Sequence, residues 1–256
     1  MRSYFSEFSN EDKILYNRII DIISISQAKN YTKFSNFLNP HEQQIAQLAA
    51  TETGFSDFCF FGGNDMCERK VFVAFSSYDN AENQDIFPID AYTFLYRQQD
   101  NLSHRDFLGC FMSKLIKRET IGDIFVGDGK CVVFALHSVA DVIAEIDKIG
   151  GVGVKISRGV EGECPSNFET EELNAIVTSF RADCVVSAIA GVSREKSSDL
   201  ISKGHVFINY EEITECSKNI NEGDVISVRG YGKFLFNAIN GKTKKGRNVI
   251  TYSKFK

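Results

Sequence analysis

The stretch RADCVVSAIAGVSREKSSDLISKGHVFINY, at residues 181–210, predicts two short helices followed by a strand. The first helix covers residues 181–189, and Ser193 caps a second helix that runs to Lys203. Gly204 comes where a helix commonly ends, because glycine accepts the left-handed backbone that such an end requires. Alternating residues then indicate the strand, at Val206, Ile208 and Tyr210. A helix–helix–strand unit is therefore expected in this part of the chain.

This unit lies in a basic part of an acidic chain. The 256 residues carry 29 Lys and Arg against 34 Asp and Glu, a formal net charge of −5. Residues 181–256 nevertheless carry 13 basic against 8 acidic residues, whereas residues 1–180 carry 16 against 26. Residues 232–256 hold seven basic residues and no acid. Such asymmetry between segments is typical of proteins that bind nucleic acid or a membrane.

The basic residues suit an RNA partner, because each phosphate they neutralise releases condensed counterions. Lys196 and Lys203 lie seven residues apart, on one face of the second predicted helix. Phe234, Phe236 and Tyr252 are interleaved with the later cations, where they could stack on bases or face a core instead. A solvated helix face is the alternative for the cations themselves. The predicted RNA-binding residues are Arg181, Ser193, Arg194, Lys196, Lys203, His205, Asn209, Lys233, Lys242, Lys244, Lys245 and Arg247.

Residues 1–80 predict a small α+β domain. Ser9 precedes a segment with a helical repeat of apolar residues, and Asn39 followed by Pro40 begins a second helix. The runs FSDFCFFGG and KVFVAFSSY then predict a hairpin.

Residues 81–160 predict the element order β-α-β-β-α-β, which is that of the ferredoxin-like fold and of RNA-recognition-motif (RRM-like) domains. The strands are IDAYTFLYR, IGDIFV, KCVVFALH and VGVKISR, and the helices are SHRDFLGCFMSKLI and VADVIAEIDKI. An RNA-recognition motif needs exposed aromatic side chains on its central strands, for which Phe125 and Phe134 are the candidates. A scaffold or docking role for this domain is the alternative.

The predicted fold class is therefore α+β in three domains. An N-terminal α+β domain at 1–80 precedes the central βαββαβ domain at 81–160 and a C-terminal domain at 178–256. Residues 161–177 contain Gly, Pro, Ser, Asn and several Glu, a composition that indicates a linker.

The seven cysteines indicate a reducing compartment. They are scattered, and no Cys-x-x-Cys or Cys/His pair has zinc-ligand spacing. The N-terminal sequence lacks the apolar run of a signal peptide, and the longest apolar run, at 131–136, is far shorter than the roughly 18 residues of a membrane helix. We therefore expect a cytoplasmic monomer with no metal, no cofactor and no membrane partner.

Several motifs resemble known RNA-binding families. The C-terminal segment is similar, over about 178–256, to the domain named after the fourth protein of the small ribosomal subunit, the S-four domain. Upstream, LSHRDFLGCFMSKLIKRETIGDI at 102–124 resembles the signature of the YlmH-type proteins, and GYGKF and GKTKKGR near the end match that family too. The S-four pattern consists of Arg181-x-Asp183, Ser193-Arg194, Ile201-x-x-Gly204-x-Val206-x-Ile208-Asn209 and Glu222-Gly223-Asp224-Val225-Ile226.

Membership of the YlmH-type family implies a non-enzymatic RNA-binding factor associated with the large ribosomal subunit. The resemblance implies large-subunit rRNA and peptidyl-tRNA as partners, and a role in ribosome-associated quality control, the rescue of stalled translation. An adaptor linked to cell division is one alternative, because some members have genes near cell-division genes. An RNA-modifying enzyme is another, since pseudouridine synthases and some methyltransferases carry S-four domains.

Two positions depart from the family pattern. The signature contains SKLIKRE where relatives more often place a glycine in that turn, and Tyr210 stands where many relatives carry tryptophan. The second departure affects a stacking or packing contact.

The triplet His104-Arg105-Asp106 invites a catalytic interpretation that the sequence disfavours. No Ser or Cys nucleophile is placed to partner it, and Asp106 suits a capping arrangement with Ser103. Secondary RNA contacts, or contacts at a domain junction, are expected from His104, Arg105, Lys117 and Arg118.

Overall fold

The computed structural model describes residues 8–165 and 170–255. The chain divides into an N-terminal unit, Met1–Ser166, and a C-terminal unit, Asn167–Lys256. Residues 1–80 and 81–160, predicted as two domains, lie together in the N-terminal unit and share part of a core.

The first part of the N-terminal unit packs two helices on a three-stranded antiparallel sheet. Its elements are α1 (Asn10–Lys29), β1 (Lys33–Leu38), α2 (Pro40–Thr53), β2 (Phe58–Phe61) and β3 (Lys70–Ala74), and the sheet order is β1-β3-β2. Ser9 and Asn39 cap the two helices through reciprocal bonds with the third helical residue, as their sequence positions predict. The hairpin of β2 and β3 is confirmed, whereas β1 was not predicted.

The second part has the predicted β-α-β-β-α-β order in its main elements. It contains β4 (Ile89–Leu95), α3 (His104–Ser113), β5 (Ile121–Gly127), β6 (Lys130–Leu136), α4 (Ala140–Ala144), β7 (Lys148–Ile149), β8 (Val152–Gly153) and β9 (Lys155–Arg158). The strands β5-β6-β4-β9 form one antiparallel sheet in that order. Short 3₁₀ turns cover Gln84–Ile86, Arg118–Thr120 and His137–Val139.

The second helix of this part is shorter than VADVIAEIDKI predicts. Only Ala140–Ala144 is α-helical, and Lys148–Ile149 pairs with Val152–Gly153 in a small hairpin. Gly150 and Gly151 both have positive φ, at 53° and 89°, which suits the hairpin turn. Ile143, Ile146 and Ile149 are all buried. The short helix followed by the hairpin buries these three residues as well as a longer helix would.

The two sheets of the N-terminal unit pack face to face. Alternate residues of β6 divide between two cores: Val133 and Ala135 face the α3 side, whereas Val132 and Phe134 join the core formed with β1 and β3. Phe125 is 1% and Phe134 is 3% exposed. These rings therefore offer no RNA-reading surface, because the first sheet covers this face of the second, and the alternative of a scaffold or docking role stays open.

The C-terminal unit packs two helices on a six-stranded antiparallel sheet. Its elements are β10 (Thr170–Val177), α5 (Ala182–Ala190), α6 (Arg194–Ser202), β11 (Val206–Ile208), β12 (Glu211–Glu212), β13 (Val225–Val228), β14 (Gly232–Lys242) and β15 (Asn248–Phe255). The sheet order is β10-β15-β14-β13-β11-β12. The helix–helix–strand prediction holds, with Gly204 at φ 66° after α6.

Two expectations for this unit are corrected, and one pair of alternatives is decided. Residues 170–177, assigned to a linker, form β10 because alternate residues face the core and the strand pairs with β15 along its whole length. Tyr210 follows β11 instead of extending it, at φ 71°. Phe234 and Phe236 are each 1% exposed and Tyr252 is 8% exposed, so these rings pack in the core and are not a base-stacking platform.

We expect Gly122→Ala to lower the free energy of unfolding of the N-terminal unit by about 1–3 kcal/mol, the usual effect of overpacking. A Cβ at Gly122 would lie 2.7 Å from Cε1 of Phe37, at the packing of β1 against β5. Urea unfolding followed by circular dichroism measures the effect.

Gly109→Ala in α3 is the matched control for Gly122→Ala. Nothing lies within 4 Å of its Cβ, and alanine favours a helix over glycine by about 1 kcal/mol. The control should be as stable as the wild type or more stable, and an equal loss in both variants would contradict the packing argument.

Candidate nucleic-acid interface

A buried carboxylate holds two of the predicted RNA-binding arginines. Oδ1 of Asp183 accepts a hydrogen bond from Nε of Arg181 at 3.1 Å, and Oδ2 accepts from Nε of Arg194 at 2.9 Å and lies 2.7 Å from its Nη2. The Asp183 side chain is 5% exposed, whereas those of Arg181 and Arg194 are 42% and 58% exposed. The buried carboxylate therefore holds both guanidinium groups in place, and both groups remain accessible to solvent.

The ends of the two helices place these groups. Arg181 is the residue that precedes α5, Asp183 lies in its first turn, and Arg194 begins α6. Oγ of Ser193 accepts a hydrogen bond from the Lys196 backbone at 3.1 Å, which confirms the predicted cap. The Ser193 hydroxyl is thus engaged in capping the helix. Its predicted role in RNA binding stays a prediction.

The charge of this cluster depends on Asp183 staying ionised. Burial raises the pKa of the Asp183 carboxyl, but hydrogen bonds and charge from Arg181 and Arg194 outweigh burial and lower the pKa below its ordinary value. The hydrogen bond to Asp183 in turn raises the pKa of Arg194. The cluster of one carboxylate and two guanidinium groups thus carries a net positive charge over the physiological pH range.

A second group of cations lies at the turn between β14 and β15. The backbone N–H of Thr243 donates to the carbonyl of Arg247 at 2.7 Å, and that of Gly246 donates to the carbonyl of Thr243 at 2.8 Å. Four exposed side chains occupy this hairpin tip, and none forms an ion pair within the described parts of the chain: Lys242, Lys244, Lys245 and Arg247.

The remaining predicted residues differ in their surroundings. Lys196 is exposed, and Lys203 lies 3.7 Å from the exposed Asp199. The Asn209 side chain donates to Asp224 at 2.8 Å and accepts from the Val225 backbone at 2.9 Å, so it shapes the turn after β11. His205 is half-buried, and its backbone carbonyl accepts from Arg229.

Lys233 contacts aromatic side chains of its own unit. Its Nζ donates to the Tyr210 hydroxyl at 3.1 Å and lies 5.3 Å from the Tyr210 ring centroid and 4.9 Å from that of Phe255. Tyr210, at the position where many relatives carry tryptophan, therefore provides both a ring and a hydroxyl for this lysine.

In the N-terminal unit, the four secondary candidates differ in exposure and in their partners. Nη1 of Arg118 donates to the carbonyls of Ile121 and Gly122 at 2.6 and 3.2 Å, and burial, followed by the charge of Arg69, lowers its pKa to about 10. Arg118 thus secures the start of β5, which favours the junction role. Arg105 and Lys117 are exposed.

His104 adds no positive charge at neutral pH. Desolvation and the nearby charge of Arg118 lower its pKa to about 4. The carboxylate of Asp106 accepts from the backbone and the hydroxyl of Ser103, at 2.8 and 2.6 Å, as expected for a residue that stabilises the start of α3.

No group of three or more His, Cys, Asp or Glu side chains suited to holding a metal ion occurs among residues 8–165 and 170–255. Over the same residues, no helix is long and apolar enough to cross a membrane.

Comparisons with known proteins find a family model, a relative and a solved structure that are similar to this chain. Residues 83–160 match the family described as "Putative RNA-binding domain in YlmH". The chain is 29% identical over 261 residues to Ribosome-associated protein quality control protein P2 of Bacillus subtilis (strain 168), with all of both chains covered. A solved structure, Cell division protein ylmH from Streptococcus pneumoniae, matches 60% of this chain and 94% of its own with a TM-score of 0.50. The resemblance to YlmH-type proteins is confirmed.

The match to a solved structure and the match to a family model support different statements. The solved YlmH structure is 17% identical, so it shows a shared mixed α and β fold and nothing about activity. The matched family segment includes the second sheet, whose inner face is covered, and also α3 and the turn that follows it.

The segment SKLIKRE, which departs from the YlmH-type signature, contains a residue with an unusual backbone conformation. Leu115, in SKLIKRE, has φ 62° and a side chain that is 90% exposed. The left-handed region costs a non-glycine residue about 1–2 kcal/mol. Glycine is the residue that this backbone favours, and the exposed Leu115 side chain lies outside the core.

Two residues that matter for this geometry were not among the predicted site residues. Asp183 was part of the S-four pattern, but its role as the shared partner of two arginines requires the folded helix pair. Nε of Arg69 donates to the Ile121 carbonyl, which Arg118 also contacts, and no local pattern around Arg69 indicates that bond.

We expect Asp183→Asn to destabilise the C-terminal unit by about 2 kcal/mol at pH 7, because charged hydrogen bonds to both arginines are lost. The pKa of Asp183 is lower in the folded than in the unfolded chain. Its contribution is therefore complete above the unfolded value of about 4 and is lost as the pH falls through the folded value. Urea unfolding at several acidic pH values should show that Asp183→Asn lacks this part of the pH dependence.

Asp199→Asn is the control for Asp183→Asn, because Asp199 is 58% exposed and 3.7 Å from Lys203. An exposed pair of this kind contributes about 0–1 kcal/mol. Equal destabilisation of the two variants would contradict the anchoring role of Asp183.

Proposed function

We propose that this protein is a non-enzymatic RNA-binding factor that associates with the large ribosomal subunit. Its partners are large-subunit rRNA and peptidyl-tRNA, and its role is in ribosome-associated quality control, where stalled translation is rescued. It acts as a cytoplasmic monomer without a cofactor.

The exposed cations of the hairpin tip are the observation that carries the proposal. Lys242, Lys244, Lys245 and Arg247 are exposed at the end of the hairpin of β14 and β15, and no Asp or Glu occurs between residues 225 and 256. Such a group of cations fits a phosphate backbone. The cations form no ion pair within the described residues, and the phosphates of a bound RNA would neutralise them.

The family likeness supports the identity of the RNA. The Bacillus subtilis relative is named a ribosome-associated quality-control protein and aligns along the whole chain. Residues 83–160 match a family described as RNA-binding. Both descriptions agree with an RNA partner on a ribosome.

The finer fold assignments belong to this proposal. The sheet order β5-β6-β4-β9 supports a ferredoxin-like, RRM-like domain at 81–160, and two helices packed on an antiparallel sheet support an S-four domain at 178–256. The RRM-like domain would then act through surfaces other than its covered sheet face, with Arg105 and Lys117 as exposed secondary contacts. Asp106 has a capping role at α3, which agrees with a role without catalysis.

We expect the combined variant Lys244→Ala, Lys245→Ala, Arg247→Ala to bind large-subunit rRNA more weakly and with less salt dependence. Each lost phosphate contact reduces the slope of log affinity against log salt by about 0.7–0.9, so three losses reduce it by about 2–3. Fluorescence anisotropy titrations at several salt concentrations measure both quantities.

The control replaces Lys29, Lys148 and Lys155 with alanine, which removes the same charge from exposed sites in the N-terminal unit. Its slope should stay near that of the wild type. A slope that is unchanged in the tip variant, or reduced equally in the control, would show that the hairpin tip is not the RNA contact.

The ribosomal role is tested by sedimentation of the tagged full-length chain from cell extract. We expect the wild-type protein with large subunits that carry peptidyl-tRNA, and the tip variant largely in the ribosome-free fraction. Wild-type protein found only in that fraction would overturn the ribosomal part of the proposal. The anisotropy titrations test RNA binding separately.

A further inference from the structure

The C-terminal unit contains an open cleft of about 710 Å³ that none of the predicted RNA-binding residues lines. Its walls are residues 178–180 after β10, the loop at 219–222, and the ends of β14 and β15 at Ile239 and Asn248. The backbone N–H of Ile220 donates to the Phe180 carbonyl at 2.9 Å, and the Glu222 side chain accepts from the Ile239 backbone. These two hydrogen bonds hold the loop at 219–222 against residues 178–180 on one side and against β14 on the other.

Apart from Glu222, whose carboxylate accepts from the Ile239 backbone, the side chains that line the cleft are uncharged and suit a flat ligand with polar edges. Within the described residues, the side-chain amides of Asn219, Asn221 and Asn248 have no hydrogen-bond partner. An amide both donates and accepts, which matches the paired donor and acceptor groups on the edge of a nucleobase. Phe180 and Ile239 supply apolar surface, and Ile239 is 42% exposed.

The position of the cleft between two cationic groups favours a base that belongs to a strand. Asn219 forms a backbone bridge with Arg181, one of the two arginines held by Asp183. On the other side, Asn248 pairs with Lys242 at the base of the hairpin tip. Phosphates on either side of a bound base would meet these cations, which position a strand on the protein.

We infer that this cleft binds one unstacked base of a single-stranded RNA segment, with Asn219, Asn221 and Asn248 contacting the edge of the base. The adjacent phosphates lie towards Arg181 and the hairpin tip. This inference rests on the proposed RNA-binding function and adds base selectivity to it, because bases that are splayed out of a helix are read through their edges.

The test compares binding of the full-length protein to equal-length RNA strands of A, C, G or U, with nucleoside monophosphates as a separate probe. We expect the wild type to favour one strand over the weakest by about tenfold, the effect of a good amide–base pair. In the variant Asn219→Ala, Asn221→Ala, Asn248→Ala the ratio should fall to near one, while the salt dependence and the melting temperature stay unchanged.

The matched control replaces three exposed asparagines of the N-terminal unit, Asn10, Asn17 and Asn101, with alanine and should keep the wild-type ratio. Wild-type binding without preference, or a preference that survives in the cleft variant, would overturn the inference and leave RNA binding in place. Monophosphates that bind as tightly as the strands would overturn it in favour of a free nucleotide. Absence of binding to all four strands would instead overturn the proposed function.

Discussion

The packing of two sheets face to face constrains everything else in the N-terminal unit. Phe37 and Val73 from the first sheet meet Phe125 and Phe134 from the second, so both faces of the second sheet are covered, one by helices and one by the first sheet. Removing this apolar area from water stabilises the unit by roughly 25 cal/mol per Å². It also buries the sheet face that carries Phe125 and Phe134, so these rings are closed to any base.

Local signals explain how much of this fold the sequence predicts. Caps such as Ser9 are set by bonds three residues apart, and they were predicted correctly. β1 was missed because its pairing with β3 is interrupted by a bulge, which breaks the alternation. The covering of Phe125 and Phe134 could not be inferred, since the sheet that covers them is distant in sequence.

The candidate site was predictable in its residues but not in its geometry. Spacing pointed to Arg181 and Arg194, yet the carboxylate that joins them belongs to Asp183, which lies eleven positions before Arg194. Sequence also grouped Lys233 with the cations that meet RNA, whereas its Nζ lies near the rings of Tyr210 and Phe255. The charge of a side chain is visible in the sequence, but its partner depends on the folded neighbours.

The two groups of cations therefore differ in how freely they can change during evolution. Arg194 is tied to a buried carboxylate, so its loss leaves Asp183 with Arg181 as its one remaining arginine partner and affects the fold together with the surface charge. Lys244 and Lys245 occupy an exposed turn with no buried partner among the described residues, and charge can be gained or lost there without disturbing the core. The charge of the hairpin tip can thus change while the helix pair keeps its orientation.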